Sequence, residues 1–117
     1  MRGFVYFIIE EDTGRVKIGK TTRTPEDRLH SLRTGNSHPL KLLCYMETMY
    51  PEILERKIHN RFSSYRINGE WFLPHPDLVG FVLCHTLGIW KYPLPRTWSE
   101  SLYADYKKFC EENNALR

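Results

Sequence analysis

The sequence predicts a small mixed α/β domain, and three observations carry that expectation. Gly3-Phe4-Val5-Tyr6-Phe7-Ile8-Ile9 is a continuous apolar, aromatic and β-branched run, and Asp12-Thr13-Gly14 turns it back into Val16-Lys17-Ile18-Gly19-Lys20. That is the pattern of a β-hairpin. Leu40 to Glu47 reads as a third strand, with Leu40, Leu42, Cys44 and Met46 on one side and Lys41, Leu43, Tyr45 and Glu47 on the other. Capped segments of helical periodicity lie between and after these strands. Because Val5 to Ile9 is apolar at every position, the first strand is expected to be covered on both faces.

After the hairpin, Thr24 suits an N-cap, Pro25 the first helical position, and Glu26 and Asp27 the positive end of the helix dipole. Thr24 and Asp27 also have capping-box spacing. This helix should stop near Leu32 or Arg33, before Gly35-Asn36, with Leu29 and Leu32 inward and Arg28 beside that stripe. Pro51 to Phe62 reads as an amphipathic helix whose core stripe is Leu54, Ile58 and Phe62, with Glu55 and His59 together on the adjoining face. Asn68-Gly69 marks a tight turn and Glu70-Trp71-Phe72 a short extended piece. Asp77 to Leu87 reads as a third helix with Leu78, Phe81, Val82 and His85 on one stripe, stopped by Gly88. Residues 89–97 form a proline-broken connector, and Ser99 to about Asn113 reads as a last helix.

Composition agrees with a globular chain: 117 residues, 41% hydrophobic and 26% charged. No apolar run approaches the roughly 18 residues of a membrane span, and no secretory leader pattern is read at the start. Cys44, Cys84 and Cys110 are odd in number and lack zinc spacing, which predicts reduced, buried thiols of a cytoplasmic or nuclear compartment, and the location expected is cytoplasmic, or the host cytoplasm for a viral chain. The net charge is +3. Residues 1–72 carry 12 Lys and Arg against 9 Asp and Glu, whereas residues 73–117 carry five of each. The basic excess follows the hairpin, at Lys17, Lys20, Arg23, Arg28 and Arg33, and suits a polyanionic partner.

Two constellations bear chemistry: Tyr6, Lys17, Lys20 and Arg28, and the Glu55–His59 pair. Singly, each has a plainer reading. A strand tyrosine is more often packing, a lysine or arginine a solvated group, and a Glu–His pair a surface hydrogen bond.

Their order is what resembles a known family. Gly3-Phe4-Val5-Tyr6, then Lys17-Ile18-Gly19-Lys20, Pro25-Glu26-Asp27-Arg28-Leu29, the helix carrying Leu54-Glu55, Ile58-His59 and Phe62, and Gly69-Glu70-Trp71-Phe72 together resemble the GIY-YIG nuclease superfamily, in the phage and mobile-element branch with Lys-Ile-Gly for Tyr-Ile-Gly. The likeness spans about residues 3–72. It implies a nuclease core over residues 1–72, built on a three-stranded antiparallel sheet flanked by helices, and leaves 73–117 as a helical extension packed on it.

The resemblance further implies DNA endonuclease activity with one Mg2+ or Mn2+ ion on Glu55, weakly held without DNA. Arg28 would stabilise charge on the phosphate, Tyr6 would orient or deprotonate water, and Lys20 would match a basic position after the motif glycine. Lys17 stands where relatives carry a second tyrosine; a lysine is charged unless desolvated and suits a phosphate contact better than a base. Base duty then falls to Tyr6, or to His59 or His30. The chemistry is coherent: a guanidinium answers charge on phosphate oxygens, and a hard cation answers the leaving alkoxide. Expected nucleic-acid contacts are Lys20, Arg23 and Arg33. Two other readings stand beside the enzyme: a DNA-binding module without chemistry, and a protein-interaction factor using Trp90 to Trp98. Oligomers and protein partners stay open, and the sequence does not reveal DNA specificity.

Overall fold

The computed structural model describes residues 2–85 together with Ala104 and Lys108, both helical. The expected last helix and the Trp90–Trp98 stretch lie outside the described residues. The fold is α+β. Strands β1 (Gly3–Glu10) and β2 (Val16–Thr21) are followed by α1 (Pro25–Thr34), β3 (Leu40–Thr48) and α2 (Pro51–Arg61). A 3-10 turn at Ser63–Tyr65 leads into β4 (Arg66–Asn68), β5 (Trp71–Phe72) and α3 (Pro76–Leu83).

The sheet has five strands in the order β3-β1-β2-β5-β4, and every pairing is antiparallel. The expected three-stranded sheet is therefore corrected. The turn read at Asn68-Gly69, where Gly69 adopts a φ of +50°, closes a β4–β5 hairpin that adds to the free edge of β2. Two strands of three and two residues give too short a pattern to read from sequence.

β1 lies between β2 and β3 and is buried on both faces, as its unbroken apolar run predicts. Tyr6 and Ile8 join Leu40 in one cluster, covered by Leu29 and Leu32 of α1. Val5, Phe7 and Ile9 join Val16, Ile18 and Phe72 in the larger core, covered by Ile58 and Phe62 of α2 and by Leu78, Val79, Val82 and Leu83 of α3.

β3 departs from simple alternation. Phe7 pairs with Cys44 and the next residue, Ile8, with Leu42, so Leu43 is an extra residue in the ladder. The bulge reverses the facing of the strand. Leu40 and Leu42 therefore pack with α1, while Cys44 and Met46 pack with the larger core, and the single stripe expected of these four is corrected.

α1 begins as predicted: Thr24 Oγ1 accepts from the Asp27 amide at 3.2 Å, and Pro25 opens the first turn. α3 is shorter than expected. It is capped by His75 and ends at Leu83, leaving His85 exposed, with Nδ1 2.8 Å from the Phe81 carbonyl oxygen. The thiol expectation holds for Cys44, which burial pushes up to about 12, and fails for Cys84, which is exposed past the end of α3. Cys110 lies outside the described residues. No helix among the described residues is long and apolar enough to cross a membrane.

Candidate nucleic-acid cleft

The site forms where β2 loses its neighbour. β5 pairs with β2 at Val16 and Lys17, so the outer side of Gly19, Lys20 and Thr21 has no strand partner among the described residues. At this gap, side chains from both faces of the sheet approach one another. Gly19 makes the passage: it pairs with Tyr6 across the β1–β2 ladder, and a Cβ there would lie 2.5 Å from Tyr6 Cζ and 3.0 Å from Glu70 Oε2.

From the α1 side, Arg28 Nε donates to Tyr6 Oη at 3.4 Å. Tyr6 is 1% exposed. Burial pushes its phenol above the ordinary value of 10.0, only partly offset by the Arg28 hydrogen bond, with Glu70 and Glu55 raising it further. The phenol therefore keeps its proton at neutral pH.

From the α2 side come Glu55 and His59, one helical turn apart. His59 Nε2 lies 2.8 Å from the Ile18 carbonyl oxygen, and its ring meets Phe72 edge-on with centroids 5.1 Å apart. A carbonyl only accepts, so Nε2 carries a proton. Glu55 Oε2 is buried and has no hydrogen-bond partner among the described residues. Burial, then the nearby Glu70 charge, pushes the Glu55 carboxyl above its ordinary 4.5, against the pull of His59, Lys20 and Lys17. A buried carboxylate oxygen left without a donor is costly unless something cationic meets it.

At the inner end of the gap, Lys17 Nζ lies 3.0 Å from Glu70 Oε2 and over the Trp71 ring at 5.5 Å. Its side chain is only 14% exposed, so Lys17 is held by Glu70 rather than standing free for a phosphate. The outer end is a hollow of about 340 Å³ lined by Lys20, Thr21, Thr22, Arg23, Arg28, Pro51 and Glu52. Lys20 there lies 3.8 Å from Glu52.

Tyr6, Lys17, Lys20, Arg23, Arg28, Glu55 and His59 are thus gathered around one gap in the sheet. Arg33 is not. Its guanidinium donates to the Leu40 carbonyl at 2.8 and 3.2 Å, tying the end of α1 to the start of β3. The nucleic-acid role expected of Arg33 is corrected to this clasp. His30 is exposed on α1. Glu70 is the residue that sequence reasoning missed. It belonged to the Gly69-Glu70-Trp71-Phe72 motif, yet only the folded β4–β5 hairpin brings its carboxylate to Lys17 and Gly19.

A second group, Glu10, Asp12 and His38, sits at the far end of β1, with ligand-type atoms within 4.8 Å of one another. It is internally satisfied: Glu10 Oε1 accepts from Thr13 Oγ1 and Arg15 Nε at 2.6 and 2.9 Å, and Asp12 Oδ2 lies 2.7 Å from His38 Nδ1.

The fold and cleft define a small α+β domain with a hollow lined by Lys20, Arg23 and Arg28 and, near Lys20, a carboxylate with one buried oxygen. The chain belongs to the T5orf172 domain family, whose profile matches residues 3–82. The GIY-YIG assignment made from the sequence is corrected by that match: the matching profile is that of the T5orf172 domain, and it runs past Phe72 through most of α3. The chain is also 36% identical over 70 residues to an uncharacterized protein of Acanthamoeba polyphaga mimivirus. That stretch is 60% of this chain and 18% of the viral protein, so the chain spans under a fifth of the relative it matches. No solved structure matches.

Proposed function

We propose that this domain is a metal-dependent DNA endonuclease that hydrolyses phosphodiester bonds in the gap beside Gly19. Membership of the T5orf172 family supports a nuclease-like or DNA-binding role. The observation that carries the reading is the buried Glu55 Oε2, without a hydrogen-bond partner among the described residues and near the cations Lys20 and Lys17.

The donor set fits a hard divalent ion. Glu55 offers a desolvated carboxylate oxygen, the ligand type that a hard divalent ion takes. A single available carboxylate holds magnesium or manganese weakly and leaves coordination positions to substrate oxygens and water. Bound there, such an ion supplies Lewis-acid stabilisation of the leaving oxygen.

The rest is the chain's own work. Lys20 and Arg23 draw the phosphate backbone into the groove. Arg28, bonded through Nε to Tyr6, keeps its terminal nitrogens for the equatorial phosphate oxygens. Tyr6, protonated and held by Arg28, directs its O–H toward an oxygen of the attacking water or the phosphate. Lys17 neutralises Glu70, so that one carboxylate, not two, bears on the phosphate. His59 presents Nδ1 as the acceptor suited to take a proton from water, with Nε2 anchored on Ile18.

The test is incubation with supercoiled plasmid and with flap-bearing duplex, each with manganese. Wild type is expected to cut DNA, and Arg28→Ala to slow cutting by about 10²- to 10³-fold, the loss typical of a transition-state donor. Absence of cutting of either DNA by wild type at any protein concentration would leave a DNA-binding module in its place.

A further inference from the structure

The groove does not end at Arg23 and Glu52. Beyond them lies a second hollow of about 370 Å³ lined by Thr22, Met49, Tyr50, Pro51, Glu52 and Ile53. It shares Thr22, Pro51 and Glu52 with the basic hollow, so the two adjoin. Its character is different. Met49, Tyr50 and Ile53 are 57%, 67% and 49% exposed, three large apolar side chains standing in solvent around one concavity at the start of α2. No hydrogen bond of the Tyr50 hydroxyl or ring contact of its side chain is found among the described residues, and the buried clusters formed by those residues do not include these three. Exposed apolar groups gathered in this way mark a binding surface.

The neighbouring charge indicates the occupant. Lys20, Arg23 and Arg28 attract phosphate on one side of Pro51, and the apolar shelf lies on the other. A nucleotide whose phosphate sits in the basic hollow has the adjoining hollow, which shares Thr22, Pro51 and Glu52 with it, in which to lay its base. In duplex DNA that base is stacked and paired inside the helix, with no free face to offer; in a single-stranded segment it is free to stack on an aromatic ring. A phenol and a thioether make such contacts without reading base identity.

We propose that Met49, Tyr50 and Ile53 form a stacking shelf for one unpaired nucleobase, so that the substrate is DNA with single-stranded nucleotides beside the scissile phosphate, as in a flap, gap or branch. This deepens the nuclease reading and rests on it for the position of the cut, but binding to the shelf is measurable without cleavage.

The experiment uses the full chain carrying Glu55→Gln, without metal, and oligonucleotides with 2-aminopurine at an unpaired flap position or inside a duplex. The flap probe is expected to change fluorescence on binding and the duplex probe to stay constant. Tyr50→Ala is expected to weaken flap binding about tenfold, within the range found for loss of one base–aromatic stack, with duplex affinity unchanged within about twofold. Tyr50→Phe is expected to keep flap binding. Equal weakening on flap and duplex, or an unresponsive flap probe, would overturn the shelf. So would a protein dimer that Tyr50→Ala dissociates, which would assign these side chains to a contact between copies. Failure of the nuclease reading has a separate signature, undiminished cleavage by Glu55→Gln in the metal-containing assay, and leaves the binding result standing.

Discussion

Gly19 and Tyr6 face each other across the β1–β2 ladder so closely that a methyl group on Gly19 would lie 2.5 Å from Tyr6 Cζ. No left-handed backbone requires glycine at this position; the phenol beside it does. The missing side chain lets a residue from the α1 face of the sheet reach a cleft that α2 lines from the other.

Gly19→Ala is accordingly expected to displace Tyr6 or Glu70. A forced shift in a close-packed region costs about 1–3 kcal/mol. Urea denaturation should show that loss together with at least about a tenfold fall in nicking rate, the least expected when a positioning group moves by an ångström. Wild-type stability and activity in this variant would mean that Tyr6 has room to move.

Glu55 should trade stability for function. Its folded-state carboxyl is raised above 4.5, chiefly by burial. A raised carboxyl favours the protonated folded form, so no penalty exists at pH below 4.5. The penalty grows as pH rises through the raised folded value and persists above it. Glu55→Gln is therefore expected to raise the Tm at pH 7.5 by about 2–4 °C and to leave it unchanged near pH 4. Calorimetry at the two pH values checks the sign.

Asp12 and His38 link the β1–β2 turn to the loop before β3, with Oδ2 and Nδ1 2.7 Å apart. The hydrogen bond from His38 holds Asp12 below its ordinary 3.8, and the same bond holds His38 above its ordinary 6.5. The Asp12 contribution is complete above 3.8 and is lost as pH falls through its lowered folded value. The His38 contribution is complete below 6.5 and is lost as pH rises through its raised folded value. Both groups are exposed, so the effect is small. His38→Ala is expected to lower stability between pH 3.8 and 6.5 and to have no charge-linked effect by about pH 9. A constant difference across this range would show that packing, not the ion pair, matters.

Arg33 and Arg23 should separate. Arg33 is bound to the Leu40 carbonyl, whereas Arg23 lines the groove. Arg33→Ala is expected to cost about 1 kcal/mol of stability with DNA affinity retained. Arg23→Ala is expected to keep stability while lowering DNA affinity and reducing the slope of log affinity against log salt by about one. Parallel chemical melts and salt titrations distinguish the two.

Residue types and short-range periodicity made much of this legible in advance. The apolar Val5–Ile9 run announced a strand covered on both faces, Thr24-Pro25 announced the start of α1, and the spacing of Leu54, Ile58 and Phe62 announced the buried stripe of α2. What failed depended on distant partners. The Leu43 bulge is set by pairing with β1, and the five-strand sheet by the addition of a two-residue strand to the edge of β2. The Lys17–Glu70 pair exists only because that hairpin folds back, and Arg33 left the groove because a carbonyl of β3 lay within its reach. A basic residue next to basic residues in sequence reads as part of a patch, whereas its partner in space decides its role. The family assignment went astray for a related reason: short motif words over residues 3–72 resembled one family, while the match over residues 3–82 is to the T5orf172 domain.

The most direct measurement is single-turnover cleavage of a 5′-labelled flap oligonucleotide with manganese, comparing wild type with Glu55→Gln at saturating protein. Wild type should release a discrete product, and Glu55→Gln should bind the oligonucleotide at least as tightly while cleaving about 10³-fold more slowly or not at all. Equal cleavage rates for the two proteins would contradict the assignment of Glu55 to the metal and, with it, the reading of the cleft as a hydrolytic site.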